Sequence, residues 1–584
     1  MTQIPPNSMP DSARALSNRS KLSTQTRLYL LVLSTITLVI SAFFAKYGFF
    51  VNGTLEEYDL LYFAAFNLPP ELHNDLRPTL RWAYMLGAYI TPQSPLGLNL
   101  VHFAVLIVQG VVVYMLGDKL RLPAVISLAT AVLCVVSPLR HMLLRFIAIQ
   151  LLFTVFLLAI YFAFRYQDKR RAIWLILMVL ASAFSSLGYE VTFAPMIVVP
   201  LLFWWREGTL TRNVLITTAI WYITPLIVGI RFIWVYLSIN RYQDELLSLE
   251  NPLSMWLIYI GENFLYAGVQ VWLLSVRWVY NNFADAVLIS LVTALIVGGL
   301  LYWLAQIENK IDESATETET ISGRRWGSLL VICAVLFVFG FLILLPTDAR
   351  TSLDYVFSYS TWGASLAIVS VVYLLCQRLS TRYANSAFSL LMVGFVFLSL
   401  NAAYQWRNPE VSEAYRQQQI LSQIIYNVPE LTGEAPQIII FDDPIIIIPR
   451  FGFSRQMERA LRTIYEDPNL TVFVCYPEGS SAWFLESCMV TPDGIEMTTD
   501  NGIYEFAYDE TIFLRYTHDE LIVIEDTITT DTVSRSLAPQ VHYCADCDYP
   551  PAVDTFFIEF PFTIPTESTR IRAYLPDWVA DLLP

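Results

Sequence analysis

The sequence predicts an α-helical polytopic membrane bundle of about eleven transmembrane helices, followed by a soluble, β-rich α/β domain on the extracytoplasmic side. Three observations predict it. Hydrophobic residues make up 55% of the 584 residues and charged residues only 15%, where soluble domains carry roughly 25%. Apolar stretches long enough to cross a hydrocarbon core recur through the first 404 residues, and Lys and Arg gather on alternate connections between them. From residue 405 onward the chain holds 10 Arg, no Lys and 29 Asp plus Glu, a net charge of −19 against +4 for the rest.

Residues 1–27 are basic and rich in Ser, Thr, Asn and Pro, and are predicted as a disordered cytoplasmic N-terminus. The spans of the membrane part, residues 28–404, lie near 28–50, 96–117, 122–139, 146–164, 172–188, 191–205, 213–237, 284–304, 326–346, 361–377 and 384–402. The first exceeds the apolar core of a cleaved signal and reads as a retained anchor. Arg14, Arg19, Lys21 and Arg27 precede it. Lys119 and Arg121, then Arg165, Lys169, Arg170 and Arg171, then Arg206 and Arg212, then Arg324 and Arg325, then Arg378 and Arg382 fall on every second connection. Positive segments stay on the cytoplasmic side. That rule puts loops 51–95, 138–145, 188–190, 238–283 and 347–360, and everything after 403, outside a plasma (cytoplasmic) membrane.

Residues 405–584 form the acidic extracytoplasmic domain. Strands are predicted at 437–441, 445–448 and 471–475, an amphipathic helix at 454–466, and hairpins among 502–507, 511–516 and 520–525. The domain is expected to cover the outer mouth of the bundle, and its charge excludes nucleic acid as a partner. Cys134, Cys333 and Cys376 sit in spans as small packing residues. Cys475, Cys488, Cys544 and Cys547 lie in the tail, where one or two disulfides are expected in preference to a metal site. The chain has no phosphate-binding Gly-rich loop, no H-E-x-x-H and no G-x-S-x-G, which removes the usual soluble-enzyme classes.

Polar residues at the outer boundary remain. Ionisable groups beside a bilayer are costly and tend to face a cavity where they act. The acidic cluster Glu56-Glu57-Tyr58-Asp59 follows the first span, and Arg77 and Arg81 share its loop. Arg140 and His141 lie in the second outer turn, Glu190 in the third, and Arg350 in loop 347–360. A carboxylate there can take a proton from an acceptor hydroxyl, while arginines hold phosphate through paired N–H groups. Snorkelling arginines and solvated loop acids are the plainer alternative.

Leu76-Arg77-Pro78-Thr79, Tyr84-Met85-Leu86 and Ser94-Pro95-Leu96-Gly97-Leu98-Asn99-Leu100-Val101-His102 resemble the first outer loop and second helix of GT-C membrane glycosyltransferases, most closely the protein O-mannosyltransferase-like branch. Ser137-Pro138-Leu139-Arg140-His141 is similar to the H-P-x-H turn of that group, and Gly188-Tyr189-Glu190 to its Lys-Glu or Tyr-Glu turn. The resemblance covers residues 28 to 205. It implies inverting transfer of a sugar from a polyprenyl-phosphate-linked donor to a glycan, lipid or protein acceptor, within the lipid bilayer's outer face. The base would be Glu57, or failing that Asp59 or Glu56. Arg77, Arg81, Arg140 and Arg350 would be candidates for the carrier phosphate, with His102, His141 and Glu190 shaping the site. No metal ligand set is named by the sequence, although a divalent metal assists part of the superfamily. The chain departs from the pattern in carrying Glu-Glu for the paired aspartates, in exchanging Asn99 and His102, and in placing Met142 where the second-loop acid stands. The competing readings are a polymerase or ligase of surface polysaccharide, a transporter or flippase, and a catalytically inactive relative. A transporter should show paired broken helices, and only scattered Pro and Gly are present.

Overall fold

The computed structural model describes residues 11–46, 48–49, 57–68, 77–92, 94–140, 147–238, 253–314, 323–345, 357–429, 431, 436–442, 446–447, 451, 454–475, 487–499, 502–529 and 534–536. Glu56, His141, Arg350, Cys544 and Cys547 lie outside these residues. The helices of the membrane part are α1 (Asp11–Ala45), α2 (Glu57–Ala65), α3 (Leu80–Ala88), α4 (Leu96–Lys119), α5 (Ala124–Val135), α6 (Ile147–Lys169), α7 (Ala172–Gly188), α8 (Phe193–Val198), α9 (Pro200–Glu207), α10 (Arg212–Ser238), α11 (Leu253–Leu265), α12 (Val271–Asn281), α13 (Ala284–Ser314), α14 (Gly323–Phe339), α15 (Thr361–Cys376) and α16 (Thr381–Asn427). The chain is the multi-pass helical membrane protein that its sequence predicts. Among the described residues, 8 helical segments are long and apolar enough to cross a membrane. The apolar helices α5, α7 and α15 are shorter.

Every predicted span overlaps helix; α1 also runs back to Asp11, into the N-terminus 1–27 predicted as disordered, and the membrane part differs from the sequence reading in three further places. The span at 191–205 is divided, because Pro200 opens a new helix, α9, directly after α8. Residues 254–281, read as part of an outer loop, form α11 and α12 joined by a π-turn at Tyr266–Gln270. Ring contacts attach this segment to the bundle: Phe264 to Phe337, Tyr266 stacked on Phe357, Trp272 to Phe395 and Trp278 to Trp406. The third difference is α16, whose 47 residues extend about 70 Å at 1.5 Å per residue, over twice the hydrocarbon thickness. It therefore runs on past residue 404. Val411, Ala414, Gln417, Leu421, Ile424 and Ile425 are buried along this extension at helical spacing.

The C-terminal part is built on a four-stranded sheet in the order β2-β1-β6-β7, where β1 is Gln437–Asp442, β2 Thr471–Cys475, β6 Thr511–Tyr516 and β7 Ile522–Ile524. β1 pairs in parallel with both β2 and β6, and β7 returns antiparallel to β6. The helix α17 (Ser454–Tyr465) makes the β1-to-β2 crossover. Its Met457, Ala460, Leu461 and Ile464 are buried. β3 (Ser487–Val490), β4 (Gly494–Thr499) and β5 (Gly502–Ala507) form an antiparallel meander, and β8 (Thr527–Thr529) pairs with β9 (Ser534–Ser536). The strand expected at 445–448 is not formed at 446–447, the described part of it. β5 pairs with β4 rather than β6, and Cys475 is disulfide-bonded to Cys488.

Two sets of contacts mark the ends of the bundle. At one end Asp168 accepts from Lys119 at 2.8 Å and from Arg206, and Arg325 donates to the Arg206 carbonyl at 2.9 Å. The Glu308 carboxylate meets the free N–H groups opening α5 at Ala124 and Val125. The basic connections thus lie together. At the other end Lys46 pairs with Asp285 at 2.8 Å and Asn282 donates to the Asn401 carbonyl.

Candidate functional site

The candidate site lies at the end away from that basic cluster. Arg77 lies just before α3, where the turn at Pro78 and Thr79 starts the helix. Thr79 Oγ1 donates to the Phe184 carbonyl of α7 at 2.6 Å, fixing the start of α3 on the end of α7. Gly188 permits this approach: a Cβ there would stand 2.4 Å from Leu152 Cδ2 and 2.8 Å from Thr79 Oγ1. Just beyond, Glu190 receives both Arg77 Nε, at 2.8 Å, and Arg77 Nη2, a paired carboxylate–guanidinium contact. The Arg77 guanidinium also lies 5.2 Å from the Tyr189 ring centre.

Arg140 is brought to the same end by the turn after α5. Its backbone N–H donates to the Ser137 carbonyl at 3.0 Å. The side chain is buried and donates to Gln109 Oε1 of α4 at 2.8 Å and to Thr361 Oγ1 of α15 at 3.3 Å. Cys134 Sγ is 4.0 Å away, and Phe153 lies beneath the guanidinium at 5.4 Å. None of these groups is a carboxylate. A chain of rings links the two arginines, with Tyr189 to Tyr359 at 6.1 Å and Tyr359 to Phe153 at 5.2 Å.

His102 is fully buried on α4, two helical turns before Gln109 and so on the same face. Asn99 donates from its side chain to the Phe49 carbonyl at 2.9 Å, tying the start of α4 to the end of the first span. Arg81, the half-buried second residue of α3, has no hydrogen-bond or ion-pair partner among the described residues.

Of the acidic cluster, Glu57, Tyr58 and Asp59 open α2, where Glu57 and Asp59 are both buried. Asp59 points to α17: Gln456 Nε2 donates to its Oδ2 at 2.9 Å, and Arg455 and Arg459 lie 3.4 and 3.6 Å from its Oδ1. Burial pushes its carboxyl above the ordinary carboxylate range, against the opposing pull of Arg455, Gln456 and Arg459. Tyr58, between the two acids, donates to Gln417 Oε1 of α16 at 3.1 Å.

The structure therefore brings Arg77, Glu190 and Arg140 into one contact network and gives Asp59 to the C-terminal domain. Gln109, Thr361, Tyr359, Arg455, Gln456 and Arg459 were not singled out in the sequence. Gln109 was detectable as a polar residue inside a span on the His102 face. Arg455 and Arg459 were detectable as cations one helical turn apart in a strongly acidic domain. Among the described residues no three His, Cys, Asp or Glu side chains are placed to hold one metal ion.

No family model matches the chain, and no curated protein matches it. Two crystal structures of ArnT from Cupriavidus metallidurans are similar to it. The apo state aligns at 12% identity over 79% of this chain and 87% of that one, with a TM-score of 0.35. The form bound to undecaprenyl phosphate aligns at 13% identity over 77% and 86%, with a TM-score of 0.34.

Proposed function

We propose that the chain is a membrane glycosyltransferase that moves a sugar from a polyprenyl-phosphate-linked donor to an acceptor hydroxyl at the extracytoplasmic face. One observation carries the reading. Three segments that resemble GT-C motifs, around Arg77, Arg140 and Glu190, meet in a single network although Arg77 and Glu190 are 113 residues apart.

In this reading the acceptor oxygen attacks the anomeric carbon from the face opposite the phosphate, and the bond from that carbon to the phosphate oxygen breaks. The electron pair leaves on the phosphate, and the configuration inverts. The acceptor proton passes to Glu57, the acid that the family resemblance puts in the position of the base, while Asp59 is held by three side chains of α17. Negative charge grows on the departing phosphate, and a preorganised cation with no carboxylate beside it is suited to receive it. Arg140, held by Gln109 and Thr361, meets that description among the described residues, and Arg81 is a second candidate, whereas Arg77 is neutralised by Glu190 and orients the loop.

The test is transfer of radiolabelled sugar from a panel of polyprenyl-phosphate sugars by the full-length protein in membranes. Glu57→Gln is expected to lose about 100-fold or more of turnover, the size of a general-base contribution. Asp59→Asn, which keeps an acceptor for Gln456, is expected to lose less turnover than Glu57→Gln. Undiminished turnover in Glu57→Gln would remove the proposed base, and no transfer by wild type from any donor would remove the function.

A further inference from the structure

The helix α17 has two working faces. One packs into the C-terminal domain through Met457, Ala460, Leu461 and Ile464. The other carries Arg455, Gln456 and Arg459 and meets α2. Asp59 is gripped as described, and the Arg459 guanidinium lies 4.0 Å from the Tyr62 ring centre and 5.3 Å from Phe63. Asp59, Tyr62 and Phe63 are three and four residues apart and share one face of α2. An isolated helix of 9 residues does not persist in water, since helices under about 12 residues are marginal on their own. Its Asp59 and Tyr58 are tied to elements far along the chain, Asp59 to α17 and Tyr58 to Gln417 of α16.

We infer that α17 is a clamp that holds α2 in place, and that Gln456 and Arg459 are positioning residues that fix Glu57 from outside the membrane part. Glu57 lies two positions before Asp59 in the same short helix, so the orientation of one sets that of the other. The inference rests on the transferase reading for its consequence in catalysis, but the clamp itself stands on geometry.

Hydrogen exchange and kinetics on the full-length protein in lipid nanodiscs test it, using Gln456→Ala, Arg459→Ala and the conservative Arg459→Lys. Arg459→Ala is expected to speed amide exchange in residues 57–65 at least tenfold. It should also lower kcat at least tenfold while leaving the KM for the lipid-linked donor within twofold. Gln456→Ala should shift both in the same direction by less, and Arg459→Lys should recover part of each. Unchanged exchange in both alanine variants overturns the clamp. Faster exchange with unchanged kcat overturns the positioning role. If wild type transfers no sugar, the function falls, while the exchange measurement still decides the clamp. A thermal melt of the β-sheet domain, expected within a few degrees of wild type, separates loss of docking from failure of that domain to fold.

Discussion

Asp59 shows at the residue scale why a carboxylate in the expected place need not be the reactive one. It is 7% exposed and faces two guanidinium groups and an amide. The pairing of such a group offsets only part of the penalty of drying it. Burial dominates and raises its pKa, so the sign of its linkage is fixed. A carboxyl with a folded pKa above its unfolded value favours the folded state in its protonated form. That contribution is fully present below about pH 4, the unfolded value, and is lost as pH rises through the folded pKa. Asp59→Asn keeps an acceptor for Gln456 and carries no charge. Its melting temperature should equal that of wild type below about pH 4 and exceed it at pH 7. Wild type melting higher than Asp59→Asn at pH 7 would mean that the ion pairs outweigh the burial. The type and position of this residue were legible in the sequence. Its partners were not, because they lie 396 to 400 positions away.

At the scale of the element, the segment that opens α4 acts through backbone approach as well as through polar side chains. Gly97 at the start of α4 lies against α3, and a Cβ there would stand 2.4 Å from the Gly87 carbonyl oxygen. Reciprocally, a Cβ on Gly87 would stand 2.5 Å from Leu98 Cα. Backbone cannot rotate away as a side chain can, so Gly97→Ala must push α3 from α4 and move Arg77 and Arg81 with it. The expected loss is about 1–3 kcal/mol, the usual range for overpacking, read as a lower melting temperature in detergent together with reduced transfer. A melting temperature equal to wild type would show that the crossing is loose. Membrane helices were legible wherever hydropathy was high and unbroken. The extension of α16 was not, because Trp406-Arg407-Asn408-Pro409-Glu410 ends the apolar run while buried residues at helical spacing continue beyond it. The segment 254–281 escaped notice for a related reason, since its mean hydropathy of 1.2 is the lowest of the candidate spans. β3 and β4 were missed because Ser487, Glu496 and the two threonines ending β4 dilute the alternation.

For the whole molecule, function depends on which side of the membrane each end faces. Lys119, Arg206 and Arg325 are joined around Asp168 and the α9–α14 contact at one end. Arg77, Arg140, Glu190 and the docked C-terminal domain occupy the other. The alternation of charged loops in the sequence anticipated this division, since each basic connection pays the same electrostatic penalty for crossing. If the basic end is cytoplasmic, the carboxylates of α2 and the guanidinium of Arg140 lie toward the outer side, as the proposed transfer requires. Thr209, exposed between α9 and α10, and Asp509, exposed between β5 and β6, probe the two ends. With Cys544 and Cys547 replaced by Ser, single cysteines at 209 and 509 are labelled by an impermeant maleimide in sealed membrane vesicles of known orientation. Position 509 should react in right-side-out vesicles and position 209 only in inverted or opened ones. The reverse pattern would turn the bundle over, place Glu57 in the cytoplasm and exclude a donor held at the outer face.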